Sequence, residues 1–365
     1  LDKNILFGYL GKSYRGGDVY QVENFKHFEK NLIQCGFLTM HKELFYQDEV
    51  LNNGGQIHYI SNLRHFIKRY KQIKKLRKIY DVVYLHKANA VFPELLLYKI
   101  AGYRIVLHSH STTIDKKLFF KTVYILLNYF SRPFIGLLSK NYFACSEDAG
   151  KWFFGKRRFK KGQVSVLNNG IECETFKFDE RVRNKIRSEY CIKNEIIIGQ
   201  VGALSIVKNH KFTLDILRCL TEKNSDYKLW VVGDGPLADE VKEQAHIYGL
   251  SDKIVFFGGR KDVSVLMQAM DIFILPSLRE GLPFTGIEAQ TAGLLCVVSD
   301  TVSTELDLSG NVKFLSLEKG PSFWAEEILI IKTKDRSKGF QKVSEAGFDI
   351  KDTAKKLQNA LLNLK

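Results

Sequence analysis

Short β-branched runs alternate with longer helical stretches along the whole chain, which predicts an α/β protein of two doubly wound parallel sheets. Two further observations support that class. Most strand runs are continuously apolar rather than alternating, as strands buried on both faces of a parallel sheet are. The chain has 365 residues, 45% of them hydrophobic, enough for two domains with separate cores.

In the first half the predicted strands are Ile5 to Leu10, Asp81 to Leu85, Arg104 to Leu107, Tyr142 to Cys145 and Val164 to Leu167. In the second half they are Ile196 to Val201, Lys228 to Val232, Ile254 to Phe257, Ile272 to Leu275 and Leu295 to Val298. The polar, charge-mixed stretch from Phe176 to Glu195 has no strand pattern and reads as the boundary. The last helix, Asp352 to Leu364, carries Ala354, Leu357, Ala360, Leu361 and Leu364 on one stripe.

The net charge of +15 is unevenly distributed: residues 1 to 180 hold 29 basic and 16 acidic side chains, the remainder 26 and 24. A basic half attracts polyanions, whether nucleic acid or an anionic membrane leaflet. Six scattered cysteines form no CxxC pair and no Cys/His cluster of zinc spacing, so a reducing compartment is expected. There is no charged n-region followed by an apolar h-region, which argues against secretion.

Three segments of the first half are both basic and apolar. Arg64 to Lys78 has eight Lys or Arg and no acid, with Phe66, Ile67, Tyr70, Ile73 and Leu76 at helical spacing. It reads equally as a solvated surface helix or a membrane-surface face. Leu118 to Leu138 is strongly apolar, but Lys121, Arg132 and Pro133 interrupt it, which favours a buried or interfacial helix pair over a transmembrane span. Trp152 to Lys161 places three aromatics before five basic residues, suited to lipid headgroups or to nucleic-acid stacking.

The most informative stretch is Asp271 to Asp300, DIFILPSLREGLPFTGIEAQTAGLLCVVSD. A strand ends at Pro276, a turn spans Gly281 to Pro283, and a helix begins near Thr285. Strand, turn and helix N-terminus together offer free backbone N–H groups to a phosphate. Glu280 in the turn and Glu288 early in the helix would repel an anion, so they suit hydroxyls flanking it, such as sugar hydroxyls on both sides of a diphosphate.

Glu280 and Glu288 in the setting PSLREGLPFTGIEA resemble the E-x7-E motif of retaining GT-B glycosyltransferases of family 4, especially bacterial exopolysaccharide and capsule members. Further pieces match in order: GYLGKSYRGGDVYQVEN near the start, VLHSHST at 106 to 112, VSVLNNGIECETF at 164 to 176, VGALSIVKNH at 201 to 210, VVGDGPL at 231 to 237 and FFGGRKDV at 256 to 263. The resemblance thus spans nearly the whole chain. It implies an acceptor domain from Leu1 to about Thr175 and a nucleotide-sugar donor domain from Phe176 to about Gly347. The final helix, 352–364, would pack back on the first domain, and the site would lie in the cleft between the two.

The resemblance also implies roles. Glu288 would bind the donor's ribose and Glu280 the transferred sugar. The backbone from Gly281 through Leu282 and Pro283 to Phe284 would hold sugar and phosphate. Lys208 would neutralise the leaving diphosphate. Gly202 would belong to the same donor site, Gly16 and Gly17 would let backbone approach the distal phosphate, and residues around Arg260 would line the base pocket. His110 would contact the donor sugar near the reacting carbon, with His108 as the alternative. Ala203 stands where the family usually has Arg, so either Arg260 or another basic residue substitutes as the second cation, or donor affinity is low.

The implied reaction is metal-independent, retaining hexosyl transfer from a nucleotide sugar, a UDP-sugar in this branch, to a lipid-linked glycan. It would occur at the inner face of the bacterial plasma membrane, with the basic half on the anionic membrane surface. No Asp-x-Asp metal pair is present, and no RNA or DNA motif accompanies the basic half, so neither a metal nor nucleic acid is expected. Two alternatives stay open. One is a non-catalytic scaffold of the same fold. The other is an NADP-dependent enzyme reading Gly233, Gly235 and Ala238 as a loose dinucleotide fingerprint, with Arg260 on the 2′-phosphate.

Overall fold

The computed structural model describes residues 3–12, 16–86, 92–110, 133–331 and 335–364. The apolar segment 118–138 predicted as a helix pair falls mostly outside them. The chain divides into two compact units, Leu1–Gly170 with Ile350–Lys365, and Ile171–Asp349.

The first unit holds seven strands: β1 (Lys3–Leu10), β2 (Ile33–Thr39), β3 (Gln56–Tyr59), β4 (Val82–His86), β5 (Arg104–Ser109), β6 (Asn141–Ala144) and β7 (Val164–Val166). They pair in the order β3-β2-β1-β4-β5-β6-β7, and every pairing is parallel. β1 lies mid-sheet, and Ile5, Leu6 and Phe7 are wholly buried because helices cover both faces. Helix α1 (Gly16–Lys26) follows β1, α2 (Phe66–Leu76) follows β3 and α3 (Phe92–Ile100) follows β4.

The second unit repeats the plan with β8 (Ile196–Val201), β9 (Tyr227–Val232), β10 (Ile254–Gly258), β11 (Ile272–Leu275), β12 (Leu295–Ser299) and β13 (Val312–Leu315). Their order is β10-β9-β8-β11-β12-β13, again all parallel. In each sheet the strand order reverses beside the first strand, at β1/β4 and at β8/β11. The carboxyl edge at such a reversal is where this architecture opens a crevice for ligands. Helix α4 (His210–Lys223) follows β8 and α5 (Phe284–Thr291) follows β11.

Both sheets thus belong to the two-domain Rossmann-like GT-B class. All ten predicted strands are present, and three more join them: β2, β3 and β13. In β2, Gln34 and Gly36 break the apolar run, and Gly36 is required because a Cβ there would collide with the Tyr80 ring. β3 and β13 are sheet edges with half-exposed faces, so their sequences QIHY and VKFL lack a continuous apolar signal. The charge-mixed stretch of 176–195 forms a helix, Glu180–Glu189, capped by the Asp179 carboxylate on the N–H groups of Arg181 and Val182.

The final helix, α6 (Ile350–Leu362), belongs to the first unit and packs on α1. Its apolar stripe, Ala354, Leu357 and Leu361, is fully buried. Lys3 Nζ donates to the Leu361 carbonyl at 3.2 Å, and Gln358 exchanges hydrogen bonds with the Glu29 backbone.

Two of the basic segments are partly core. Phe153 and Phe154, read above as suited to lipid headgroups or nucleic-acid stacking, are buried, which leaves the exposed cations of helix Lys156–Lys160 as the surface part of that segment. In α2, Arg69 turns inward. Its guanidinium donates to Glu94 at 2.9 Å, to the Ser61 carbonyl at 3.0 Å and to the Tyr9 hydroxyl, joining the ends of β1 and β3 to α3. Both members of the ion pair are buried, so removing one strands the other. Arg69→Ala is expected to destabilise the protein by about 3–5 kcal/mol in urea unfolding, and a cost under about 1 kcal/mol would contradict the strut.

Candidate functional site

In the second unit the candidate residues gather at the carboxyl ends of β8 and β11. After β8 the chain runs through Gly202 and a short 3-10 turn, Ile206–Lys208, to Asn209, which adopts left-handed angles (φ 54°). Three hydrogen bonds fix this loop. Gln200 Nε2 donates to the Lys208 carbonyl at 2.8 Å, Leu278 N to the Val207 carbonyl at 2.8 Å, and Asn209 Nδ2 to the Pro276 carbonyl at 3.1 Å. The last two tie the loop after β8 to the loop after β11, so Lys208 and Glu280 are set against each other by backbone.

Lys208 Nζ lies 2.6 Å from Glu280 Oε1. Gly202 makes room for that lysine, because a Cβ at 202 would sit 2.9 Å from Lys208 Cε. The Glu280 backbone is pinned by a bridge to Val302. Gly281, Leu282 and Pro283 lead into α5, where the N–H groups of Phe284 and Thr285 precede the first bond of the helix, from Gly286 to the Pro283 carbonyl at 3.1 Å.

Glu288, on the next turn of α5, completes the cluster. Burial pushes its carboxyl up to about 7, while the nearby Lys208 ammonium pulls the other way. Lys208 therefore bears on both glutamates. Because the folded pKa is raised, the folding stability Glu288 supplies is complete below its ordinary value and is lost as pH rises through about 7. A carboxylate held at such a cost suits a binding role, since an ionised Glu288 would accept hydrogen bonds from a diol.

Four further residues singled out in the sequence have packing or ion-pair partners of their own. Gly233 and Gly235 are packing glycines: a Cβ at 233 would lie 2.0 Å from the Gly202 carbonyl oxygen, and one at 235 would lie 2.5 Å from that of Leu204. Their G-x-G spacing thus has a steric cause that needs no dinucleotide. Arg260 is exposed and donates to Asp262 through two hydrogen bonds, at 2.7 and 2.6 Å. Phe284 forms the first residue of α5 and packs its ring against the hydrophobic core.

In the first unit, Gly16 and Gly17 open α1 directly after β1, and His110 follows β5. Tyr20 of α1 connects them, with its ring 4.6 Å from His110 and 5.0 Å from His108. Strand register sets His86 opposite His108. The imidazoles of His86 and His110 are hydrogen bonded, Nδ1 to Nε2, at 2.6 Å, and His110 Nδ1 lies 3.2 Å from Asn169 Oδ1. With that amide oxygen as acceptor, His110 is protonated on Nδ1, so its Nε2 accepts from His86. Both nitrogens of His110 are thus engaged, and a sugar hydroxyl reaches one only by displacing a partner.

His108 is wholly buried against the Tyr84 hydroxyl, and among the described residues its Nε2 has no hydrogen-bond partner. Burial lowers the pKa of His110 to about 4 and that of His108 well below the ordinary value, so both rings are neutral at pH 7. These three histidines are the one group among the described residues whose ligand atoms converge, within 4.8 Å. Two of the nitrogens already share a proton, and no carboxylate belongs to the group, so as it stands it is a hydrogen-bonded dyad with a third ring stacked on it. Sequence reasoning missed His86, Asn169 and Tyr20. For His86 the signal was its place at the end of a strand neighbouring that of His108.

The fold is the two-domain GT-B architecture, and comparison with known proteins gives the family. Residues 182–335 match the family model "Glycosyl transferases group 1". EpsF of Bacillus subtilis, named as a glycosyltransferase, is 30% identical over 99% of this chain and 96% of its own length. The chain belongs to the group 1 glycosyltransferases. An Escherichia coli UDP-Gal:α-D-GlcNAc-diphosphoundecaprenol α-1,3-galactosyltransferase is 28% identical over 67% of this chain and 63% of that enzyme. The crystal structure of Anabaena HepE in complex with UDP-glucose superposes with a TM-score of 0.82 at 17% identity, covering 99% of this chain and all of HepE, a likeness of fold.

Because Glu288 titrates near 7, affinity for a nucleotide sugar is expected to be constant above about pH 8 and to fall up to about tenfold per pH unit well below 7. Glu288→Gln should flatten that slope and weaken binding about tenfold or more at pH 8. Calorimetry across pH 5.5 to 8.5 checks both, and a slope that survives in the variant would assign the titration elsewhere.

Proposed function

We propose that this chain transfers a hexose, with retention of anomeric configuration and without a metal, from a UDP-sugar to a lipid-linked glycan in bacterial cell-surface polysaccharide synthesis. The observation that carries the reading is one ammonium, Lys208, set between two glutamates where β8 and β11 end. That set matches the parts of a sugar nucleotide in order. Glu288 takes the ribose diol, the α5 N-terminus and Lys208 take the diphosphate, and Glu280 takes the hexose.

As the glycosidic bond to phosphate breaks, negative charge grows on the leaving diphosphate. Lys208 and the α5 dipole are already in place to stabilise it, so no reorganisation is needed at that moment. The fixed ammonium does the work that a divalent ion does elsewhere. The E. coli galactosyltransferase, whose name gives a UDP-Gal donor and a diphosphoundecaprenol acceptor, supports the choice of donor and acceptor class. Titration with UDP, GDP and ADP, with and without EDTA, tests this reading. UDP is expected to bind best, equally in EDTA, and about tenfold or more weaker in Glu288→Ala. No binding by any of the three would favour a non-catalytic scaffold.

The acceptor class implies a membrane surface, and α2 has the composition for one. Phe66 and Ile67 are 47% and 71% exposed, beside the exposed Lys68, Lys71, Lys74 and Lys75. No helix among the described residues is long and apolar enough to cross a membrane, so attachment through this face would be peripheral. Sedimentation with anionic vesicles should fall as salt rises, and it should weaken in Lys71→Glu/Lys74→Glu by about 1 kcal/mol or more per charge. Equal binding to neutral vesicles would remove the electrostatic part.

A further inference from the structure

One buried hydroxyl beside Glu280 has no part in the roles given so far. Ser277, the second residue after β11, is wholly buried, and its Oγ donates to Glu280 Oε1 at 2.8 Å. Lys208 Nζ approaches that same oxygen at 2.6 Å. Ser277 is itself held from behind: its carbonyl accepts from Ser299 Oγ at 2.5 Å and from Thr301 Oγ1 at 2.6 Å. A hydroxyl network from the end of β12 therefore fixes the serine, and the serine fixes one carboxylate oxygen.

We propose that Ser277 is a positioning residue for sugar transfer, which locks Glu280 Oε1 so that Oε2 alone is presented to the hydroxyls of the transferred hexose. This rests on the donor reading above. A carboxylate has two oxygens and about four lone-pair directions. Ser277 and Lys208 occupy directions on Oε1, and among the described residues Oε2 has no hydrogen bond or ion pair. Without Ser277 the carboxylate keeps only the lysine, a point charge that constrains position but not rotation. The hexose would then meet a carboxylate with two exchangeable faces, while the nucleotide, held at Glu288, would be unaffected.

The test separates hexose from nucleotide. In Ser277→Ala, or Ser277→Cys if the alanine variant folds poorly, the affinity for UDP is expected to stay within about twofold of wild type. Donor consumption with UDP-glucose or UDP-galactose, whichever the wild type turns over faster, is expected to fall about tenfold or more in kcat/KM. Because Ser277 acts through Glu280, adding Ser277→Ala to Glu280→Gln should cost little more than Glu280→Gln alone. UDP affinity and turnover falling together would mark Ser277 as merely structural, and additive losses in the double variant would likewise overturn the proposal. Wild-type protein that binds no nucleotide would instead defeat the donor reading itself.

Discussion

The ion pair between Lys208 and Glu280 is the constraint around which the second unit's loops are arranged. A lysine held 2.6 Å from a carboxylate at the mouth of a sheet is held there by backbone, through the bonds that join the loop after β8 to the loop after β11. Gly202 is the condition for that arrangement, since any side chain there would occupy the lysine's path. Gly233 lets its loop lie against the same segment, because a Cβ there would meet the Gly202 carbonyl oxygen. Close approach of backbone to backbone thus accounts for Gly233 and Gly235, which looked like a dinucleotide fingerprint.

The same topology gives the first unit a different chemistry. The ends of β4 and β5 bring together three imidazoles rather than carboxylates and an ammonium, and burial keeps those of His108 and His110 neutral. The His86–His110 hydrogen bond and the Asn169 anchor fix the tautomer and orientation of His110. A polar wall and a charged, carboxylate-rich one on equivalent sheet edges fit different halves of a transfer reaction.

Much of this was legible in the sequence because the strands that build the ligand-binding edges are the most deeply buried ones. β1, β8, β11 and β12 each carry three or four consecutive apolar residues, while β3 and β13, at the rims, do not. Glu280 and Glu288 were visible through their spacing and setting, and Lys208 through its place in a matched motif. What stayed hidden depends on pairing between distant segments. His86 meets His110 through the β4–β5 register, Asn169 reaches His110 across 59 residues, and Ser277 matters because Ser299 and Thr301 hold it from the next strand. Buried aromatics misled for the opposite reason: Phe153 and Phe154 lie beside a run of cations in sequence, yet pack inward.

The most direct test of the account is a crystal structure of the protein with an intact UDP-sugar. The ribose hydroxyls should lie within hydrogen-bond distance of Glu288, the diphosphate against Lys208 and the N-terminus of α5, and a hexose hydroxyl on Glu280 Oε2. A nucleotide bound elsewhere on the chain, or bound here with the hexose turned away from Glu280, would contradict it.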